Sequence, residues 1–496
     1  MKNCPRILFL FVNYAFMGGH QPVGIASLAA MLKAHGYHFD FLDTSFVLKN
    51  PSYEESQDGH IKTGLKELFN QQKNLAETIE IFLKKYNPSN YDILLASSLT
   101  TTHSPTQAFI KAIKERNPKI FTIVGGIHST ILPDETIADP NIDAICIGEG
   151  EEALIQFLDG FSNKRSYRHV RNFWFKKGSG IIKNSIRQRI DLDSLPFPDY
   201  SIFIKDHFYT PFVGKIYKTI ALEISRGCPF YCSYCVNKQM QDLYGGLSKY
   251  HTQHSLDKAI AKLVYLKEKF KPEYLRFIDE SFTVMSLSYL EEFAEQYRKK
   301  INIPFWVQTS AATLNEKKIQ ALKKMNCAAL TIGAEHGNEK FRKTVLKKIV
   351  SDSQIYEAMA LLKKYDIRRS AYFMIGLPFE TRRLVFDTIK MYKRLIYEYD
   401  AAPSGIQCFY PFPGSELFDI CVKNNFISTK SNSVNAIFKP ALDMPDLSFE
   451  EILGIKRTFF AYSVLEEKLY PIVKICEEPN PYTDKVLETI SNIYAK

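Results

Sequence analysis

From residue 6 to about 160, short runs of β-branched and aromatic residues alternate with longer amphipathic stretches. The short runs "RILFLFV" (6–12), "FDFL" (39–42), "DILLAS" (92–97), "IFTIV" (120–124) and "DAICI" (143–147) predict strands. The longer stretches predict helices over 22–36, roughly 62–86, 105–117 and 150–160, the first stopped at Gly36. Such alternation predicts a parallel sheet covered on both faces. A hairpin follows over 172–185, turning at Gly178-Ser179-Gly180. The prolines and acids of "DLDSLPFPDY" (191–200) suit a linker.

A second alternating block begins near Thr219. Strands are predicted over 219–225, 274–279, 304–309, 328–333, 370–376 and 405–410, and helices over 255–269, 286–300, 315–325, 351–365 and 381–399. Six βα units predict an incomplete barrel, open on one side, rather than a closed eight-strand one. The expected organisation is therefore α/β. A Rossmann-like domain with its hairpin occupies 1–190, and a linker 191–215. A partial (β/α)6 TIM-type barrel occupies 216–430. A small, mostly helical C-terminal segment, 431–496, is expected to cover the barrel's open edge.

Composition narrows the function classes. Over 496 residues the net charge is +10, with no block of five or six like charges, so nucleic-acid binding is not implied. The longest early apolar run, Ile7 to Val12, lacks a cleavage-site pattern and is too short to span a bilayer. It reads as a first strand, and no membrane span is expected. Nine cysteines without a secretion signal point to a reducing compartment, so a cytoplasmic location is expected.

Three of those cysteines stand together in "EISRGCPFYCSYCVN" (223–237), where Cys228, Cys232 and Cys235 have C-x3-C-x2-C spacing. A structural zinc site usually closes with four ligands. The next cysteine is the distant Cys327, and the nearest histidines are His251 and His254, an unusual spacing for Cys3His. A 4Fe–4S cluster normally takes four thiolates. Three would leave one iron open to bind and activate a ligand, at the strand end where active sites of parallel βα folds lie. Zinc and ordinary packing cysteines stand as the alternatives.

The cysteine motif, with Tyr234 before its third thiol, resembles the signature of radical S-adenosylmethionine (SAM) enzymes. The resemblance implies that SAM chelates the open iron, and that electron transfer from the cluster breaks the sulfonium to give a hydrogen-abstracting 5′-deoxyadenosyl radical. It places Tyr234 near the adenine, with ordinary aromatic packing as the alternative. "FIDESFT" (277–283) resembles an acidic turn near the methionine amino group, carried by Asp279 and Glu280, with helix capping as the alternative. In "IGAEHGNEKFRKTVLKK" (332–348), Glu335 occupies the place of a ribose-binding glutamate, against a structural ion pair. "FMIGLPFET" (373–381) resembles a Gly-Leu-Pro-Gly-Glu-Thr turn near the adenine, starting at Gly376. Phe379 stands where the second glycine is usual, so a different backbone conformation is expected there. "YPFPGSELF" (410–418) resembles the turn ending the sixth strand, so the resemblance covers 219 to about 420 in order.

The first 160 residues resemble the cobalamin-binding domain that precedes this barrel in one large subfamily. The carrying segments are "QPVGIASLAAMLKAHGY" (21–37), "LLASSLTTTHSP" (94–105), "VGGIHST" (124–130) and "GEGEEAL" (148–154). Ser97, Ser98, Gly125 and Gly126 are the small residues expected to let the cofactor approach the backbone. No histidine fits the Asp-x-His-x-x-Gly motif: His60 follows Asp58, but position 63 is threonine. Cobalamin is therefore expected without a histidine on cobalt, and His128 is read as stabilising its turn. The implied function is cobalamin-dependent radical methyl transfer to an unactivated carbon, with an external electron donor such as flavodoxin or ferredoxin. The alternatives are radical cyclisation, oxidation or rearrangement, and a non-catalytic cobalamin sensor or scaffold. The substrate, a small molecule or peptide, has no readable signature, and no acid or base residue is singled out.

Overall fold

The computed structural model describes residues 4–14, 21–49, 72–431 and 438–494. These form two compact units: the described residues up to Arg226 with Gln239–Tyr274, and Gly227–Lys238 with the described residues from Leu275 onward.

Five strands open the first unit: β1 (Ile7–Phe11), β2 (Phe39–Asp43), β3 (Ile93–Ser97), β4 (Phe121–Gly125) and β5 (Ala144–Cys146). The hairpin β6 (Phe173–Lys177) and β7 (Gly180–Lys183) completes a seven-stranded sheet ordered β2-β1-β3-β4-β5-β6-β7. The first five strands are parallel neighbours, and β6 and β7 join antiparallel. Every residue of β1 is buried, which is why "ILFLF" reads as an unbroken apolar run rather than an alternation. Helices Val23–Ala34, His103–Arg116 and Glu151–Ser162 answer three predicted helices. Of the fourth, Leu75–Lys85 is described and the start of the predicted range lies outside the described residues. Two short helices, Ile127–Ile131 and Pro133–Ala138, were not legible as periodicity because each is under two turns.

Residues 191–215 are ordered. Short 3-10 turns at Leu192–Ser194 and Tyr200–Ile202 are capped by the Asp191 and Asp199 carboxylates. The Tyr200 hydroxyl donates to the Ala221 carbonyl at 2.6 Å, and the Gln21 amide bonds the backbone of His207, Thr219 and Ala221. Two of the three acids that suggested a linker thus act as caps, and the third, Asp193, accepts the Ser255 amide at 3.1 Å. Next come the hairpin β8 (Tyr209–Phe212) and β9 (Lys215–Leu222), then β10 (Ser225–Arg226) paired with β11 (Thr252–Gln253). The first predicted barrel strand thus starts earlier than expected, at a Val213-Gly214 turn.

In the second unit, β12 (Tyr274–Phe277), β13 (Phe305–Thr309), β14 (Cys327–Glu335), β15 (Arg368–Ile375) and β16 (Gln407–Cys408) are consecutive parallel neighbours. Helices Leu287–Lys300, Glu316–Lys324, Asp352–Lys364 and Arg382–Tyr399 connect them. Side chains of Ser286, Asn315, Ser351 and Thr381 accept the first free amides of these helices. The strand expected over 405–410 shrinks to two residues, since Pro403 and Pro411 near its ends offer no amide to a ladder. The C-terminal segment is helical at Phe449–Val464, Tyr470–Ile475 and Pro481–Tyr494. It packs on the helix Arg382–Tyr399 through Tyr392–Phe459 and Phe386–Tyr462 ring contacts. The chain is an α/β protein with a Rossmann-like N-terminal sheet, a partial barrel and a helical C-terminal segment. Among the described residues no helix is long and apolar enough to cross a membrane.

Candidate cluster and cofactor sites

The cysteine loop belongs to the second unit and is pinned at its middle. Ser233, between the second and third cysteines, donates through its amide to Leu346 O (3.0 Å) and through its hydroxyl to Val345 O (2.6 Å), while its carbonyl accepts from Leu417 N (2.9 Å). At the loop's start Gly227, left-handed at φ +89°, donates its amide to the Glu280 carboxylate at 3.1 Å. At its end the Asn237 amide reaches Cys235 Sγ at 3.4 Å. None of the three cysteines is in a disulfide. Burial pushes the Cys228 thiol up to about 11 and raises those of Cys232 and Cys235, and each thiol lies within the electric field of another. Buried neutral thiols ionise when a cationic centre binds them. Among the described residues no group of three or more His, Cys, Asp or Glu side chains gathers tightly enough for a single metal ion. Three thiols held in one another's field on one pinned loop fit a multi-iron cluster, which takes thiolate ligands. His254 is engaged elsewhere, with Asp193 at 2.9 Å and Lys262 at 3.2 Å.

Glu335 is the last residue of β14 and stands at a register shift against β15. Its backbone is left-handed, φ +67°, which costs a non-glycine residue about 1–2 kcal/mol. Such an irregularity re-aims a side chain at the strand's end. Gly333 makes room for it, since a Cβ there would lie 2.2 Å from Glu335 Oε1. The carboxylate meets the buried Lys348 ammonium at 3.3 Å, and the same ammonium reaches the Tyr234 hydroxyl at 3.3 Å. Burial, with Glu335 and the thiols nearby, raises the Tyr234 hydroxyl well above its ordinary value, so it stays protonated. Asp279 is buried and Glu280 exposed just beyond β12. The loop cysteines, Tyr234, Glu280 and Glu335 are thus linked through direct contacts or shared fields. Asp279 sits next to them in sequence.

Gly376 opens its turn at φ +76°, close against Ile452. Phe379 is itself left-handed at φ +65° and half exposed. Phenylalanine here holds the left-handed conformation that glycine adopts most readily. The next residue explains how. The Glu380 carboxylate, fully buried, accepts the Gly376 amide at 2.6 Å and the Leu377 amide at 3.0 Å. Its other oxygen meets His336 Nε2 at 3.0 Å. His336 Nδ1 accepts from the Asn338 amide at 2.9 Å, so Nε2 carries the proton. A buried relay therefore ties the residue after Glu335 to the Gly376 turn. Sequence reasoning did not find Ser233, His336, Lys348 or Glu380. All four lie inside the segments that carry the resemblance, and Lys348 is hidden there among other lysines.

In the first unit, Ser97 and Gly125 end β3 and β4 as register partners, and Ser98 and Gly126 follow them. The room beside Gly126 (φ +97°) is taken by the chain itself, since a Cβ there would lie 2.7 Å from Ser98 O. Ser98 is fully buried and its hydroxyl meets His103 Nδ1 at 3.0 Å. His103 and His128 stack with centroids 3.7 Å apart, and His128 Nδ1 lies 3.3 Å from Thr100 Oγ1. Burial and the neighbouring imidazole lower His128 to about 4, and burial lowers His103, so both are neutral. Among the described residues the buried Nε2 atoms of both rings have no partner. Two orphaned donor-acceptor sites at the strand ends fit a ligand rich in polar groups, as the amide-rimmed corrin is. His60 lies outside the described residues.

Two family models match the chain: the radical SAM superfamily over residues 222–392 and the B12 binding domain over 67–158. An uncharacterized methyltransferase of Pyrococcus horikoshii is 25% identical, covering 78% of this chain and 81% of the relative. The anaerobic magnesium-protoporphyrin IX monomethyl ester cyclase of Rubrivivax gelatinosus is 23% identical, covering 95% of this chain and 79% of its own. Among solved structures, the cobalamin-dependent SAM radical enzyme OxsB, with aqua-cobalamin and SAM bound, superposes with a TM-score of 0.67 at 14% identity. That match covers 98% of this chain and 70% of OxsB, and at this identity the likeness is one of fold.

Proposed function

Because the chain belongs to the radical SAM enzymes that carry a B12-binding domain, we propose that it transfers a methyl group from SAM to an unactivated carbon of its substrate. The observation that carries the site is the pinned Cys228–Cys235 loop, whose Tyr234 shares the Lys348 ammonium with Glu335. When bound, the cluster and SAM supply a hydrogen-abstracting radical and cobalamin supplies a methyl carrier.

Every other part of the reading concerns this chain's own residues. Cys228, Cys232 and Cys235 would hold a cluster by three thiolates and leave one position for SAM. Glu335 would accept a ribose hydroxyl, a charge-assisted bond whose direction the bulge at β14 fixes. Tyr234 and the Gly376 turn would line the adenine. Asp279 and Glu280 would face the amino group, Glu280 while accepting the Gly227 amide. Ser97, Ser98, Gly125 and Gly126, with the two unpartnered imidazole nitrogens, would border the corrinoid without a histidine on cobalt. In this reading the domains divide at 1–190, 191–215, 216–430 and 431–496. The enzyme works in the cytoplasm with a low-potential electron donor and a small-molecule or peptide substrate.

A second reading ends the radical step in cyclisation or oxidation, and the cyclase relative, matched over 95% of this chain, favours weighing it. SAM labelled in its methyl group separates the two. Label recovered on product or on protein-bound cobalamin is the expected result. Turnover to 5′-deoxyadenosine with the label left on methionine would instead support the second reading.

A further inference from the structure

Two consecutive lysines follow the helix Glu339–Thr344, and they do different things. Lys347 points outward, its ammonium 2.5 Å from Glu416 and its side chain half exposed. Lys348 points inward and is 8% exposed. Its ammonium lies 3.3 Å from both Glu335 Oε1 and Tyr234 Oη. Its backbone is fixed at both ends, with its amide on Arg342 O at 3.0 Å and its carbonyl accepting Val350 N at 2.9 Å. Arg342 is itself fully buried and bonds the His336 carbonyl at 2.6 Å. The carbonyls of Val345 and Leu346, just before the lysine, hold Ser233 between Cys232 and Cys235. Lysine and cysteine loop are therefore one rigid body.

We infer that Lys348 is the fixed counter-charge of the cysteine site: it makes reduction of the bound cluster easier and, through its ion pair, positions Glu335. This inference rests on the cluster reading above. Three thiolates, Glu335 and Glu280 make the pocket strongly negative. Taking one electron from a low-potential donor adds one more negative charge, with no bond made or broken and no proton moved. A buried cation at fixed distance lowers the cost of that charge, because low dielectric strengthens the attraction. The same ammonium engages one oxygen of Glu335 and leaves the second for a ribose hydroxyl. Lys348 is a positioning and charge-setting residue rather than a catalytic one.

The test is a redox titration of the full-length protein, reconstituted anaerobically without SAM and followed by the electron paramagnetic resonance of the reduced cluster. Lys348→Met should move the midpoint to more negative potential, and Lys348→Arg should return it toward wild type. Glu335→Gln, which removes the paired negative charge, should move it the opposite way. A structural role alone would lower the melting temperature of Lys348→Met and leave its midpoint unchanged at full iron content, and that result overturns the inference. Should the methionine variant fail to load iron, an unchanged midpoint in Glu335→Gln overturns it instead. A wild-type protein that takes up no four-iron cluster would refute the cluster reading itself, a different failure from an unmoved midpoint.

Discussion

Replacing Cys228, Cys232 and Cys235 together by alanine yields a folded protein that retains no iron after anaerobic reconstitution, whereas the wild type retains about four irons per chain. The other six cysteines are scattered along the sequence. Cys146, Cys327, Cys408, Cys421 and Cys476 are buried, and Cys4 is exposed. Burial holds Cys327 and Cys408 protonated, as it does Cys146. Among the described residues no second group of cysteines gathers in this way. Folding survives because the bonds of Ser233 and Gly227, which anchor the loop, remain in the variant. Iron analysis and Mössbauer spectra check the prediction. About eight irons in the wild type, or an intact cluster in the triple variant, would contradict it.

Gly337→Ala destabilises the second unit by roughly 3 kcal/mol or more, the upper part of the range for overpacking a tight contact. A Cβ on Gly337 would lie 2.1 Å from Asp387 O and 2.5 Å from Thr388 Cα, both backbone atoms of the helix Arg382–Tyr399. Backbone of a helix has no rotamer in which to yield, so the whole helix must retreat. Retreat would also lengthen the 3.0 Å bond from the Gly337 amide to Thr388 Oγ1 and the 2.9 Å bond from Asn338 to Asp387. Because Glu335 and His336 immediately precede this contact, SAM affinity should fall along with stability. Thermal and denaturant unfolding report the first effect and equilibrium binding the second. A midpoint equal to wild type would show that the helix yields more cheaply than its contacts imply.

How much could be read from the chain depends on how local the signal is. The strands of both units were legible because β1, β3 and β14 are apolar runs between helices of the opposite period, a pattern that needs no tertiary knowledge. The cysteine loop was legible for the same reason, with all three cysteines inside eight residues. Lys348 was not, because nothing in "KTVLKK" separates the inward lysine from the outward one; that distinction comes from the Arg342 and Val350 backbone bonds. The His336–Glu380 relay joins residues 44 apart and belongs to no local motif. At Phe379 a local rule is overridden: φ > 0 favours glycine, yet a phenylalanine holds it where the Glu380 carboxylate fixes the turn from the next residue. In 191–215, the capping roles of Asp191 and Asp199 likewise depend on the turns that follow them rather than on composition.

The account stands or falls on reductive cleavage of SAM. The direct measurement is 5′-deoxyadenosine, quantified after the reconstituted wild-type protein is incubated anaerobically with SAM and a low-potential reductant. The account predicts 5′-deoxyadenosine that requires the reductant and is absent from the triple cysteine variant. A fully loaded, reduced cluster that binds SAM and yields no 5′-deoxyadenosine would contradict it.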